Sequence, residues 1–92
     1  MNERAKRRVS DYRKAYATTL RDVYSSWSDK KEKAYKRCLR LKEDMNGYNF
    51  RIIKASSWQF SCGFLYRDGD GIEHLMYITK GEDNDIRLDE EE

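Results

Sequence analysis

The stretch Trp58-Gln59-Phe60-Ser61-Cys62-Gly63-Phe64-Leu65-Tyr66-Arg67 decides the fold, because large apolar side chains recur in it at every second position. A period of two is typical of a β-strand, whose successive side chains point to opposite faces. Asp68-Gly69-Asp70-Gly71 follows and predicts a tight hairpin turn, since glycine accepts a positive φ. Outward from this hairpin, Ile72–Thr79 predicts the returning strand and Tyr48–Lys54 predicts a short preceding one.

The Asp-Gly turn also predicts a register. If it closes symmetrically, Phe64 lies opposite Leu75 and Cys62 lies opposite Tyr77. This register collects the bulky side chains on one face of the sheet, and we expect the helices to cover that face. His74, the only histidine, then falls on the other face.

The first 46 residues contain neither Gly nor Pro, and their apolar period is helical. Steps of three and four residues connect a stripe of Ala5, Val9, Tyr12, Tyr16, Leu20, Val23 and Trp27. The polar stretch at 25–29 predicts a break, and Asp29 with Glu32 fits a capping box that begins a second helix. Asn46-Gly47 predicts its end. The stripe continues in phase across the break, so one bent helix of about 45 residues is the alternative.

These elements predict an α+β domain with two N-terminal helices packed on a three-stranded antiparallel meander, in the order ααβββ. The domain spans residues 1–81, with a basic helical half at 1–46 and the meander at 48–80. Residues 82–92, EDNDIRLDEEE, are typical of a solvated and disordered acidic tail.

Composition narrows the class of protein. Ninety-two residues with 12 aromatic side chains suit one small folded domain, whose core is too small for a deep active site. No apolar run approaches the ~20 residues that cross a bilayer, and the basic N-terminus lacks the apolar stretch of a leader. We therefore expect a cytoplasmic protein that does not contact membranes.

Catalytic and metal-binding patterns are missing from the sequence. Cys38 and Cys62 do not form a CxxC motif, and we expect two buried, reduced thiols. His74 has no nucleophile beside it in any recognisable motif, and the chain has neither a glycine-rich phosphate loop nor a metal-ligand cluster. We expect no enzymatic activity and no cofactor.

The two halves of the chain carry opposite charge. Residues 1–42 hold 14 Lys and Arg against 5 Asp and Glu, whereas residues 43–92 hold 5 against 12. Seven basic residues and one acid fall within 30–42, which favours a polyanion-binding face over an ordinary solvated helix surface. The candidate contacts are Arg7, Lys14, Arg21, Lys30, Lys31, Lys33, Lys36, Arg37 and Arg40.

The acidic end has three interpretations. It is a solubilising tail, or an internal competitor that folds onto the basic helices, or a mimic of nucleic-acid phosphate offered to a basic cleft on another protein. The last interpretation assigns partner contacts to Asp83, Asp85, Asp89, Glu90, Glu91 and Glu92.

The stretch from Phe50-Arg51-Ile52-Ile53 through Trp58-Gln59-Phe60-Ser61 to Tyr77-Ile78-Thr79 resembles small accessory proteins of phages and other mobile elements in Gram-positive bacteria. Some of these proteins are anti-CRISPR inhibitors. The resemblance implies a non-enzymatic inhibitor that blocks a nucleic-acid-handling effector by occupancy. Its partner would be a host defence protein or ribonucleoprotein, such as a Cas effector, which exposes both guide RNA and basic channels.

Two other classes of function remain as alternatives. The first is a regulatory protein that binds DNA or RNA directly through the basic helical face. The second is an interaction module that forms a homo-oligomer through the long apolar stripe of the helices.

Overall fold

The described residues build two helices and one antiparallel sheet. A computed structural model describes residues 1–15, 29–55 and 59–90. In these residues α1 (Glu3–Lys14) and α2 (Asp29–Asp44) precede four strands that are neighbours in chain order. The strands are β1 (Tyr48–Ala55), β2 (Phe60–Arg67), β3 (Glu73–Thr79) and β4 (Glu82–Arg87), and a 3-10 turn at Leu88–Glu90 follows. The predicted α+β class is confirmed, but the sheet has four strands and not three.

Helix α1 is short and separate. The Asn2 side-chain oxygen accepts a hydrogen bond from the Ala5 N–H at 2.8 Å and caps its first turn. The helix ends at Lys14, because Ala15 is extended. The alternative prediction of one continuous helix to Met45 is therefore wrong. The predicted stripe and break over residues 16–28 lie outside the described residues.

Helix α2 ends where the sequence predicts. Asn46 adopts a left-handed φ of 54°, and the Gly47 N–H donates to the Lys42 carbonyl at 2.7 Å. This bond satisfies a carbonyl of the last turn. Gly47 also leaves space for a neighbour, since a Cβ there would lie 2.5 Å from Cδ2 of Phe64.

The β2–β3 register differs from the predicted one by one residue. Arg67 pairs with Glu73, so the turn contains five residues and not four. The Asp68 carboxylate stabilises this longer turn by accepting hydrogen bonds from the N–H groups of Asp70 at 2.9 Å and Ile72 at 3.0 Å. The predicted hairpin is confirmed, but its tight and symmetrical closure is wrong.

A shift of one residue moves a whole strand's side chains to the other face of a sheet. Phe64 therefore pairs with Met76, whereas Leu75 and Tyr77 point to the opposite side. Both faces become apolar, and each is covered by one helix. On the α2 face the buried cluster is Tyr35, Cys38, Phe60, Cys62, Phe64, Tyr66, Met76 and Ile78. On the α1 face it is Val9, Tyr12, Leu75, Tyr77 and Ile86.

The sheet is thus the middle of three layers. We expected both helices on one face, and that expectation is wrong, because the register gives β3 an apolar face on each side.

The acidic end is part of the sheet. Glu82–Arg87 pairs along β3 as strand β4, and Ile86 lies opposite Leu75 with its side chain buried. The interpretation of 82–92 as a disordered tail is therefore wrong for residues 82–87. Glu91 and Glu92 lie outside the described residues.

Candidate nucleic-acid interface

The outer surface of α2 carries exposed basic residues along the helix. Its inner side packs Ala34, Tyr35, Cys38 and Leu41 against the sheet. Helical geometry then places the remaining positions toward solvent. The exposed basic residues on this side are Lys30, Lys33, Lys36, Arg37 and Arg40.

Few carboxylates neutralise this surface. Lys36 Nζ lies 3.1 Å from Glu32, one turn earlier, and Arg37 lies 3.7 Å from Asp83 of β4. Within the described ranges Lys33 and Arg40 form no ion pair. We call Lys33, Lys36, Arg37 and Arg40 the α2 row, since their spacing of three, four and seven residues aligns them along the helix.

The predicted basic residues of α1 do not extend the α2 row. Arg7 and Lys14 are exposed, but α1 covers the opposite face of the sheet from α2. Two further cations of α1, Arg4 and Arg8, both donate to Glu82 of β4. The prediction of a single basic face formed by both helices is therefore wrong. Arg21 lies outside the described residues.

The acidic end contacts both helices. Glu82 pairs with α1, and Asp83 is the carboxylate that reaches Arg37 of α2. Asp85 binds His74, while Asp89 lies 2.7 Å from Arg87 and Glu90 lies 4.0 Å from it. These carboxylates face basic groups of the same molecule. Of the described carboxylates that the sequence assigned to partner contacts, Asp83 alone reaches a basic residue of a helix, whereas the others pair with His74 or Arg87 of the sheet.

A basic pocket of about 430 Å³ lies between the N-terminal half of α2 and the end of the sheet where β2 begins and β3 ends. Its apolar floor includes Cys38, Phe60 and Ile78. Four cations line it: Lys30, Lys31, Arg37 and Lys80. Lys31 is held in place, since its Nζ donates to the Ala55 carbonyl at 3.0 Å.

Sequence reasoning missed Lys80. It precedes Gly81 in the turn between β3 and β4, and Gly81 has the positive φ of 87° that this turn requires. The Lys-Gly pair was a signal for that turn, but the run of acids after it indicated a tail. The structure brings Lys80 beside Lys30, Lys31 and Arg37 across about 50 residues of sequence.

A second polar cluster surrounds His74, which is 8% exposed. Its Nδ1 lies 2.7 Å from Asp85 of β4, and its Nε2 lies 2.7 Å from Asp68 of the β2–β3 turn. The Tyr66 ring stacks on the imidazole, with centroids 4.8 Å apart, and the Tyr66 hydroxyl donates to Asp85. The predicted position of His74 on the face away from the bulky side chains of β2 is therefore wrong, because the one-residue change in register places it beside Tyr66 on the α2 face.

The electrostatics of this cluster favour a charged pair of His74 and Asp68. Burial alone would lower the pKa of His74, but the hydrogen bonds to Asp68 and Asp85 outweigh it and raise that pKa above its usual value. The bond to His74, with the Ile72 N–H, lowers the pKa of Asp68. Burial and the bond to Asp85 raise the pKa of Tyr66. The cluster joins β2, β3, β4 and their turn.

The two cysteines meet in the core between α2 and β2. Cys38 is 1% exposed and Cys62 is fully buried, and both are free thiols. The hydrogen bond with Cys62 lowers the pKa of Cys38, whereas burial raises the pKa of Cys62. Such inaccessible thiols are typical of packing roles.

Within the described residues no three His, Cys, Asp or Glu side chains form a group suited to a metal ion, and no helix has the length and apolarity to cross a bilayer. The chain matches no protein-family model, no curated protein and no solved structure.

Proposed function

We propose that this protein is a non-enzymatic inhibitor of the anti-CRISPR type, which binds a nucleic-acid-handling effector complex and blocks it by occupancy. In this proposal the α2 row contacts RNA of the complex. The observation that carries the proposal is the solvent-facing row of four cations on α2, two of which are unpaired within the described residues.

Charge and geometry support α2 over α1 as the contact. The row runs over seven residues, or about 10 Å of helix, which matches a few backbone phosphates of a nucleic acid. Phosphate contacts of this kind give affinity without sequence specificity. On α1, by contrast, Arg4 and Arg8 already share an ion pair with Glu82.

A pull-down tests the proposal. The tagged protein is incubated at moderate salt with bacterial lysate that contains a CRISPR effector, with and without nuclease. We expect capture of that effector complex to persist after nuclease, because guide RNA inside a complex is protected. Recovery of mixed nucleic acid that disappears with nuclease would replace this proposal with the direct DNA- or RNA-binding protein.

A matched pair of variants locates the contact. Lys33→Glu, Lys36→Glu and Arg40→Glu reverse three charges of the α2 row, and we expect this triple variant to lose capture. The control reverses three exposed charges on the other layer: Lys6→Glu, Arg7→Glu and Lys14→Glu. Equal capture by the two triple variants would contradict the role of α2.

A further inference from the structure

The basic pocket is more specific than an exposed row of cations, because it is concave and has an apolar floor. Cys38, Phe60 and Ile78 form part of that floor, and each is nearly fully buried. Lys30 and Lys80 stand at its exposed side. No carboxylate is among its described lining residues. A ligand that fits must therefore combine negative charge with a compact apolar part.

We propose that the basic pocket binds one unstacked nucleotide of a single-stranded nucleic acid. The base would enter against the apolar floor, and the flanking phosphates would contact Lys30, Lys80 and Arg37. This inference rests on the proposed function and deepens it by naming the strand form that α2 recognises. Proteins commonly bind single strands in this way, with cations along the backbone and apolar or aromatic surface under the bases.

Size and charge favour a nucleotide over an acidic peptide. A volume of about 430 Å³ lies within the range of sites that enclose a small organic group. An Asp or Glu side chain is short and would leave most of this volume empty while it contacts the cations. A nucleotide satisfies both the floor and the cations.

The pocket is also continuous with the α2 row. Arg37 belongs to both, and its only ion pair among the described residues is the 3.7 Å contact with Asp83. Its side chain is 61% exposed, so it can turn toward a phosphate at little cost. A strand that follows the α2 row therefore reaches the pocket without leaving the positive surface.

Two substitutions test the pocket from different sides. Ala34→Leu places a larger side chain in the pocket and keeps a strong helix former. Lys80→Glu reverses one charge in an exposed turn and leaves the floor intact. Lys54→Glu is the matched control, because Lys54 is exposed on β1 and does not line the pocket.

Binding is measured by fluorescence polarisation with a labelled eight-nucleotide uridine strand, and thermal melts verify folding. We expect Ala34→Leu and Lys80→Glu each to weaken binding about tenfold and Lys54→Glu to leave it unchanged. Wild-type affinity in both pocket variants would overturn the proposal. If Ala34→Leu fails to fold, Lys80→Glu decides alone.

Competitors define the ligand. If uridine monophosphate displaces the strand at equal concentration, the site belongs to free nucleotides. If an acidic peptide displaces the strand better, the site belongs to a protein partner. Either result overturns the proposal.

The α2 triple variant separates the two proposals. If only the triple variant loses effector capture, the proposed function stands and the pocket proposal fails. If the triple variant keeps capture, the contact assigned to the α2 row fails, whereas the proposed function fails only if the wild-type protein does not capture the effector.

Discussion

At the residue scale, His74 connects three parts of the chain through one imidazole. Both ring nitrogens lie 2.7 Å from carboxylate oxygens, so both can donate only when the ring is protonated. The pKa of His74 is raised and that of Asp68 is lowered. The charged pair therefore stabilises the fold in the acidic range.

The sign of this effect gives a pH prediction. The His74 contribution is complete below its unfolded pKa of about 6.5 and is lost as pH rises through the higher folded pKa. The Asp68 contribution is present above about pH 3.9 and is lost as pH falls through the lower folded pKa. We expect the stability that this pair adds to be greatest between about pH 4 and 6.5.

Urea denaturation of the wild type and of His74→Gln at pH 6 and pH 8.5 checks this prediction. The glutamine keeps one hydrogen-bond donor group and cannot take a charge. A hydrogen bond contributes about 0.5–1.5 kcal/mol net, and solvent screens both partners of His74, since the Asp68 and Asp85 side chains are 30% and 50% exposed. We therefore expect a difference of about 1 kcal/mol between wild type and variant at pH 6. The difference should shrink at pH 8.5. A difference that grows with pH would contradict a charged His74. The same comparison includes any effect of Arg87, which lies opposite His74 in the β3–β4 pair.

At the scale of elements, the sequence predicts local structure well and register poorly. The helix end at Asn46-Gly47 and the turn at Asp68 follow from the backbone preferences of single residues. The turn length depends on how the Asp68 carboxylate pairs with the N–H groups of Asp70 and Ile72, and composition does not encode that choice. The one-residue difference between the predicted and observed β2–β3 register places Leu75 and Tyr77 on the α1 face.

Gly63→Ala tests whether α1 covers the second face of the sheet. If both helices covered one face, as predicted, Gly63 would point away from them and an added methyl group would meet no helix. In the structure its Cβ would lie 2.9 Å from the Tyr12 ring of α1. That ring cannot easily move, because its hydroxyl donates to the Asn49 carbonyl at 2.5 Å and Arg51 lies 4.9 Å from its centroid.

We expect Gly63→Ala to lower the free energy of unfolding by about 1–3 kcal/mol, as overpacking does. Gly69→Ala is the matched control, since a Cβ at Gly69 meets nothing within 4 Å. Urea denaturation of the two variants measures the difference. Equal stability of both variants would indicate that α1 does not cover this face.

At the scale of the whole molecule, the acidic end shows why the candidate site was only partly predictable. β4 contains one buried apolar residue, Ile86, among acids and an amide, so its composition resembles that of a tail. Its carboxylates are stabilised by partners from other elements, such as Arg4 and Arg8 for Glu82. Only tertiary structure reveals these pairings. The basic residues of α2 were predicted because their spacing lies within one helix, whereas Lys80 depends on the turn before β4.

Truncation distinguishes a strand from a tail. Deletion of residues 82–92 removes Ile86 from the core and leaves the edge of β3 unpaired, with Leu75 and Tyr77 losing cover. We expect this variant to lose its cooperative thermal transition, followed by circular dichroism. A chain that ends at Glu90 is the control and should melt like the full chain. A normal transition after the longer deletion would contradict β4. Asp83→Asn keeps the strand and tests whether Asp83 competes with a polyanion for Arg37. If it does, this variant binds a polyanion more tightly than the wild type.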